Sequence, residues 1–345
     1  MATNSGNILR WIIVVAGISF TSFSFYAYQI FFTPNVNVEK KASYLLIPTG
    51  ATFETVMDSI NKQKLLYDEL SFMFLTKFLK YRDNIKPGRY LMDSSASNLS
   101  IIKKLKNGNQ TPVKLTFNNI RLKKDLAEKL SLSLEPSEAE FLTALKDTAI
   151  ARAFGMDSAT IMTIFIPNSY EVYWNIGVKS LFEKMHKEYE KFWTEERLAK
   201  AREGGLSPVQ VSILASIVEA ETNNKAERPR VAGVYLNRLK QNMPLQADPT
   251  VKFAVGDFSL KRIYSVHTTT DSPYNTYKNT GLPPGPIDLP SINAIDAVLN
   301  AEHHNYVYFC ASEELNGSHN FAATYKEHQA NAEKYQKALN KLKIR

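Results

Sequence analysis

Residues 207–224 read SPVQVSILASIVEAETNN, and the organisation of the C-terminal half hangs on how that stretch folds. Ser207-Pro208 is a helix start: serine accepts from free first-turn amides, and proline fits the first helical position, where no N–H is needed. Val211, Leu214, Ile217 and Val218 then recur at helical spacing. A step of about 100° per residue puts Leu214, Ile217, Val218 and Glu221 on one side, with Ser212, Ser216 and Glu219 opposite. Glu221 therefore prolongs the apolar stripe, while Glu219 shares the serine face and reads as a surface or structural carboxylate. A carboxylate against apolar surface has its ionised form disfavoured, which raises its pKa and suits it to general acid work near neutral pH. The competing reading ends the helix at Thr222-Asn223-Asn224 and leaves Glu221 solvated in a fraying last turn.

Outward from this helix, the chain has 345 residues, 44% hydrophobic and 22% charged, enough for two domains plus an attachment. Its formal net charge of +8 carries no Arg/aromatic recognition pattern, which suits an anionic surface or polymer and not nucleic acid. The single cysteine, Cys310, excludes an intrachain disulfide and a cysteine-rich zinc site. His303, His304, His319 and His328 lack compact ligand spacing, so no metal is expected. Trp11 to Phe32 holds no charged residue, is long enough to span a bilayer, and lacks a small-residue cleavage site. It reads as an uncleaved anchor, with Trp11, Tyr26 and Tyr28 at the interfaces. The flanking charges hardly orient it, but the short N-terminal tail argues for translocation of the body.

After the anchor, residues 33–42 read as a linker. "SYLLIPTGATFETVMDSINKQKLL" predicts a strand and an amphipathic helix around Val56 to Lys64; "DELSFMFLTKFLKY" a second helix; "IKPGRYLM" a turn and strand; "SNLSIIKKLKNG" a capped helix stopping at Gly108. This strand–helix–helix–strand unit spans about 43–108, with a boundary near Asn109. "TPVKLTFNNIRLKKDLAEKL" starts a new strand and helix, "EPSEAEFLTALKD" predicts a helix with an acidic first turn, and one long charged helix is expected over Val178 to Glu203. Beyond the opening stretch, a helix from Val231 to Lys240 runs into a loop holding Gln246 and Asp248. "SPYNTYKNTGLPPGPIDLPS" cannot be regular structure, because its prolines remove donors. It is rich in Tyr and Asn, side chains that stack on and hydrogen-bond sugars, and such loops are binding surfaces or rigid connectors. "SINAIDAVLNAEH" predicts a helix, "YVYFCAS" a buried strand containing Cys310, "GSHNFAATY" its partner, and a charged helix closes the chain.

The series "SIVEAET", "VYLNRL", "LQADPTV", "SPYNTY", "TGLPPGPI" and "HNFAATYKEH", in this order and spacing, resembles the endolytic murein transglycosylases, the YceG-like family. Upstream, "IPNSYEVYW" resembles the family's Phe-Pro-Asp-Thr-Tyr element, with Asn168 and Ser169 in place of Asp-Thr. The resemblance implies an α+β protein in these parts: a cytoplasmic tail (1–10), a transmembrane helix (11–32), a linker (33–42), a small LysM-like α+β subdomain (43–108) and a larger α+β catalytic domain (109–345).

The implied activity is a membrane-anchored lytic transglycosylase that cuts peptidoglycan strands internally between N-acetylmuramic acid and N-acetylglucosamine, leaving 1,6-anhydro ends. Glu221, the second glutamate of the family's Glu-x-Glu pair, is implied as acid and then base. Gln246 and Asp248 either hold sugar hydroxyls or orient Glu221, or else cap and turn their loop. Tyr274, Asn275 and Tyr277 are expected to line the glycan groove, unless one tyrosine packs in the core, and Asn320 to face the cleft. Glu219 is expected to pair with Arg228 or Arg230. No cofactor is implied. The implied partners are glycan strands, the cytoplasmic membrane and peptidoglycan synthesis proteins, with the body outside that membrane. The alternatives are a non-catalytic cell-wall anchor and a muramidase-type hydrolase.

Overall fold

A computed structural model describes residues 5–37, 43–118 and 120–341. The end of the expected linker, the first tail residues and the last four residues of the chain lie outside them. The fold mixes helices with short strands, and the chain divides into two compact units: residues 1–114 with 133–135 and 171–176, and the remainder. The first unit therefore runs past the expected boundary near Asn109 and takes in two short later segments.

In the first unit, α1 (Ser5–Phe32) contains the long apolar segment. It is followed by β1 (Ser43–Ile47), α2 (Phe53–Gln63), α3 (Glu69–Phe78), β2 (Gly88–Met92) and α4 (Asn98–Asn107). β1 and β2 pair antiparallel from Ser43↔Met92 to Ile47↔Gly88. Alternation along them sends Leu45, Ile47 and Tyr90 inward, against Val56, Ile60, Phe72, Leu75, Ile102 and Leu105, all fully buried. Each large side chain so buried contributes about 1.5–3 kcal/mol. Thr52, Asp68 and Ser97 cap the three short helices with their side-chain oxygens. Gly108, at φ 72°, ends α4 in the left-handed conformation that the sequence predicts there. Asn98 is buried and donates to Ser71 Oγ (2.9 Å) and to the Ile30 carbonyl (3.0 Å), which ties α1 to this core.

The chain continues through β3 (Val113–Thr116) into the second unit: α5 (Lys123–Ser131), α6 (Glu138–Lys146), α7 (Thr148–Ala153), β4 (Ser169–Val172, whose last two residues count with the first unit), α8 (Val178–Phe192) and α9 (Glu195–Glu203). The single long helix expected over Val178 to Glu203 is two. Thr194 is extended, at φ −62° and ψ 161°, and its hydroxyl accepts from Arg197 N, so it caps a new helix with Glu195 and Glu196 in the first turn. Next come α10 (Pro208–Glu221), α11 (Arg228–Lys240), α12 (Asp248–Val255), α13 (Ser265–Thr268), α14 (Ile292–Leu299), the antiparallel pair β5 (Tyr308–Ala311) and β6 (His319–Ala322), and α15 (Tyr325–Lys341). Cys310 is half-buried in β5, not buried as expected, as is every residue of that strand.

α10 is the centre of this unit and packs against α9, α11, α12 and α14. Ser207 and Gln210 form a reciprocal cap at its start. Its serine face is not a solvent face: every residue from Val211 to Val218 is buried, Ser212 and Ser216 included. The hydroxyls are satisfied within the protein, Ser212 donating to Pro208 O (3.1 Å), and Ser216 donating to Ile213 O (2.7 Å) while accepting from Ile287 N (3.0 Å). Small polar residues let α14 and the preceding loop approach where larger ones would hold them off.

Candidate active site

Glu221 is the last residue of α10, followed by Thr222 in extended conformation. It opens onto a cavity of about 330 Å³ lined also by Tyr235, Arg238, Gln246, Asp248, Tyr277 and Tyr308. The Tyr235 hydroxyl donates to Glu221 Oε1 at 2.8 Å, and nothing else among the described residues hydrogen-bonds the carboxylate. Part of the residue sees solvent through the cavity mouth, yet its carboxyl is surrounded by protein to the density of an interior group. That burial pushes its pKa up to about 7; Tyr235 pulls the other way, and nearby Asp248 adds to the rise. A helix C-terminus with no basic residue in its last turn also disfavours an anion. Glu221 is thus poised to give and take a proton near neutrality.

Tyr235 and Arg238, three residues apart on α11, share the face toward Glu221. Arg238 is buried, donates to the carbonyls of Val307 (2.6 Å), Pro244 (3.1 Å) and Leu245 (2.9 Å), and reaches Gln246 Oε1 at 3.3 Å. One guanidinium thereby fixes the 244–246 loop against the start of β5. Gln246 sits at φ 53°, a left-handed conformation rare outside glycine, and its N–H bonds Thr276 O at 3.0 Å. Asp248, at the start of α12, accepts from the Tyr277 hydroxyl at 2.6 Å. The remaining wall is aromatic: Tyr308 stacks on His328 with centroids 5.3 Å apart, beside Tyr325 and Phe309. Burial, then Arg238, hold the His328 imidazole below its usual pKa.

A larger cavity, about 420 Å³, lies on the Glu219 side of the helix end, with Arg121, Arg228, Lys252 and Asp288. Size does not make it the better acid–base site. Glu219 has both oxygens committed, to Arg228 Nη1 (3.0 Å) and to Ser291 N and Oγ (2.6 Å each). It holds the start of α14, and Arg230 pairs with Glu302 instead. Asp288 Oδ1 has no hydrogen-bond partner among the described residues, and burial, then Glu219, push its pKa up to about 7.

Of the residues singled out in the sequence, the structure brings Gln246, Asp248 and Tyr277 to Glu221's cavity. It does not bring Tyr274, Asn275 or Asn320 there. Asn275 is fully buried and builds its own loop, donating to Thr268 O (2.9 Å) and Thr270 O (2.8 Å) and accepting from Tyr277 N (3.1 Å). Tyr274 packs on Phe253 at 4.6 Å, and the Asn320 amide donates to Glu313 in the β5–β6 turn. The residues missed are Tyr235, Arg238, Tyr308, Phe309, Tyr325 and His328. The first two were marked only by their i, i+3 spacing in "VYLNRL", and the last two by the same spacing in "TYKEH". Among the described residues no group of three or more His, Cys, Asp or Glu could hold a metal ion.

The YceG-like family's sequence model matches residues 45–334. A Bacillus subtilis (strain 168) protein named endolytic murein transglycosylase is 28% identical over 310 residues, 85% of this chain and 85% of that one. A protein of the same name from Streptococcus pneumoniae (serotype 2, strain D39) is 28% identical over 337 residues, 87% of this chain but 60% of the longer relative. The crystal structure of a yceG-like protein from Listeria monocytogenes aligns with TM-score 0.55 at 25% identity, covering 85% of this chain and 99% of that one. Since the match takes in the first unit's strands as well as Glu221 and its cavity, the chain belongs to the YceG-like family.

Proposed function

We propose that this protein is a lytic transglycosylase that cuts peptidoglycan glycan strands internally, with Glu221 as its only acid–base residue. The observation that carries the reading is Glu221 itself, a carboxyl held near pKa 7 with one hydrogen-bond partner among the described residues, open to a cavity walled by tyrosines. The names of the bacillar and pneumococcal relatives supply the substrate class.

In the reaction, protonated Glu221 gives its proton to the glycosidic oxygen between N-acetylmuramic acid and N-acetylglucosamine as the C1–O bond breaks. The resulting carboxylate takes the proton of the muramyl C6 hydroxyl, and that oxygen closes onto C1. No water is consumed, and Glu221 ends as it began. The Tyr235 hydroxyl holds the carboxyl in place and steadies its ionised form between the two steps. Tyr308 and Tyr325 offer faces for sugar rings, and the Gln246 amide, its carbonyl turned to Arg238, leaves its N–H groups for sugar hydroxyls. The strand–helix–helix–strand part of the first unit, LysM-like in element order, serves positioning, and α1 anchors the enzyme in the cytoplasmic membrane with the body outside. A role in ending nascent strands beside synthesis enzymes fits an anchored, internally cutting activity.

One observation favours a second reading. Asp248 is a carboxylate in the same cavity, and paired carboxylates are the apparatus of a muramidase-type hydrolase. Mass spectrometry of the fragments released from murein sacculi separates the two. Anhydro-muramyl ends are expected; reducing ends alone would make the enzyme a hydrolase, and no fragments at all would leave only a glycan binder.

A further inference from the structure

α3 has apolar residues on both faces. Ser71, Phe72 and Leu75 turn into the core of the first unit, while Leu70, Phe74 and Phe78 stand 80%, 60% and 65% exposed, with Tyr67 just before them at 72%. A soluble surface helix carries charge on that side; this one spends it on large apolar groups. The outward face runs beside α1. Phe78 meets Phe31 edge-on with centroids 6.1 Å apart, and a groove of about 610 Å³ separates the two helices. Phe23, Tyr26, Ala27, Ile30 and Phe31 form its α1 wall, and Leu70, Phe74 and Phe78 its α3 wall, with the polar Ser71 and the helix-capping Asp68 at the end where α3 begins. Along α1 it reaches back roughly 12 Å from Phe31 to Phe23, well inside the segment that would cross a bilayer core of about 30 Å.

We propose that the exposed face of α3 is a second membrane contact, dipping into the outer leaflet beside α1, with lipid chains filling the groove between them. Continuity selects the occupant: the groove's α1 wall is the apolar surface of the span itself, so whatever surrounds the end of α1 also meets Phe74 and Leu70. Exposed Lys77 and Lys80 bracket Phe78 in the chain, where long cationic side chains reach the headgroups while their stems lie along apolar surface. Asn98 fixes the geometry through its bonds to the Ile30 carbonyl and to Ser71 of α3. The first unit is then held flat against the membrane instead of swinging on a tether. The inference rests on the anchoring part of the proposed function and not on the chemistry of Glu221.

The test uses the full chain, in a Cys310→Ala background, reconstituted into phosphatidylglycerol/phosphatidylethanolamine vesicles. Single cysteines are placed by Leu70→Cys, Phe74→Cys, Phe20→Cys and Asp58→Cys and labelled with an environment-sensitive fluorophore; all four positions are exposed, so folding is not at stake. Labels at 70 and 74 should lose fluorescence to doxyl-labelled lipid as strongly as the label at 20 and resist aqueous iodide, while the label at 58 does the reverse. Quenching at 20 without quenching at 70 and 74 overturns the α3 contact alone. Labels at 70 and 74 shielded from both quenchers would mean a protein covers the face, which also overturns it. No lipid quenching at 20 would overturn the anchoring reading together with this one.

Discussion

Glu221 and Glu219 sit two residues apart on one helix end, and their neighbours alone separate their roles. Replacing Glu221 by Gln keeps the size but can neither give nor take the proton, so fragment release from sacculi should fall by the 10²–10⁴-fold typical of such groups, or further. The same change should stabilise the fold in a pH-dependent way. Glu221 titrates near 4.5 when unfolded and about 7 when folded, so between those values the folded state binds more protons and stability falls as pH rises. The gain from Glu221→Gln should therefore be absent at pH 4 and reach about 2 kcal/mol above pH 7, discounted for the open cavity mouth. Thermal melts of both proteins at the two pH values test this; equal gains at both would show that the carboxyl is not desolvated. Tyr235→Phe removes the bond that steadies the ionised form, so Glu221's pKa should rise and the alkaline loss of kcat/KM should move to higher pH. An unmoved limb would remove Tyr235 from the mechanism. Glu219→Gln should do the opposite of Glu221→Gln: Arg228, 5% exposed, loses its counter-charge, stability drops by about 1–3 kcal/mol, and activity per folded molecule persists.

At the scale of elements, the site depends on a loop held in an unfavourable shape. Gln246 at φ 53° should tolerate glycine structurally, because glycine adopts that conformation freely, with a stability change within about 1 kcal/mol. If the Gln246 amide holds sugar, Gln246→Gly loses activity without losing stability; retained activity would make the residue only a turn. α11 must also lie close to residues 302–304. A Cβ at Gly233 would collide with the Glu302 carbonyl, so Gly233→Ala should cost about 1–3 kcal/mol in denaturant melts. The sequence made α10, its cap and the in-line position of Glu221 legible, because apolar periodicity and a Ser-Pro start are local signals. It hid Ser212 and Ser216 in the interior, since a helix packed on every side leaves no polar face to read. It hid Arg238 for a related reason: a guanidinium that staples a loop through carbonyls looks, in sequence, like any helix-surface arginine. Asn275 was legible as important but not as what it does, because nothing in "SPYNTY" distinguishes a side chain aimed at sugar from one bonded to its own backbone.

For the molecule as a whole, what matters is that the long apolar helix α1 belongs to the first of the two compact units. α1 was evident from a charge-free run, a signal that needs no partner, whereas the split of the remaining chain was not, because residues 133–135 and 171–176 join the first unit from far along the sequence. Which side of the membrane holds the units is testable, and the flanking charges scarcely bias it. With α1 as its anchor, the chain should expose everything from about residue 33 onward outside the cytoplasmic membrane, where its proposed substrate lies. Protease added to intact spheroplasts should then degrade the body of the protein while leaving a small membrane fragment that contains Trp11 to Phe32. The protected fragment should not grow when the membrane is first permeabilised. Survival of the full-length band until permeabilisation would place both units on the cytoplasmic side, out of reach of peptidoglycan. It would overturn the proposed substrate even if the purified enzyme cut sacculi.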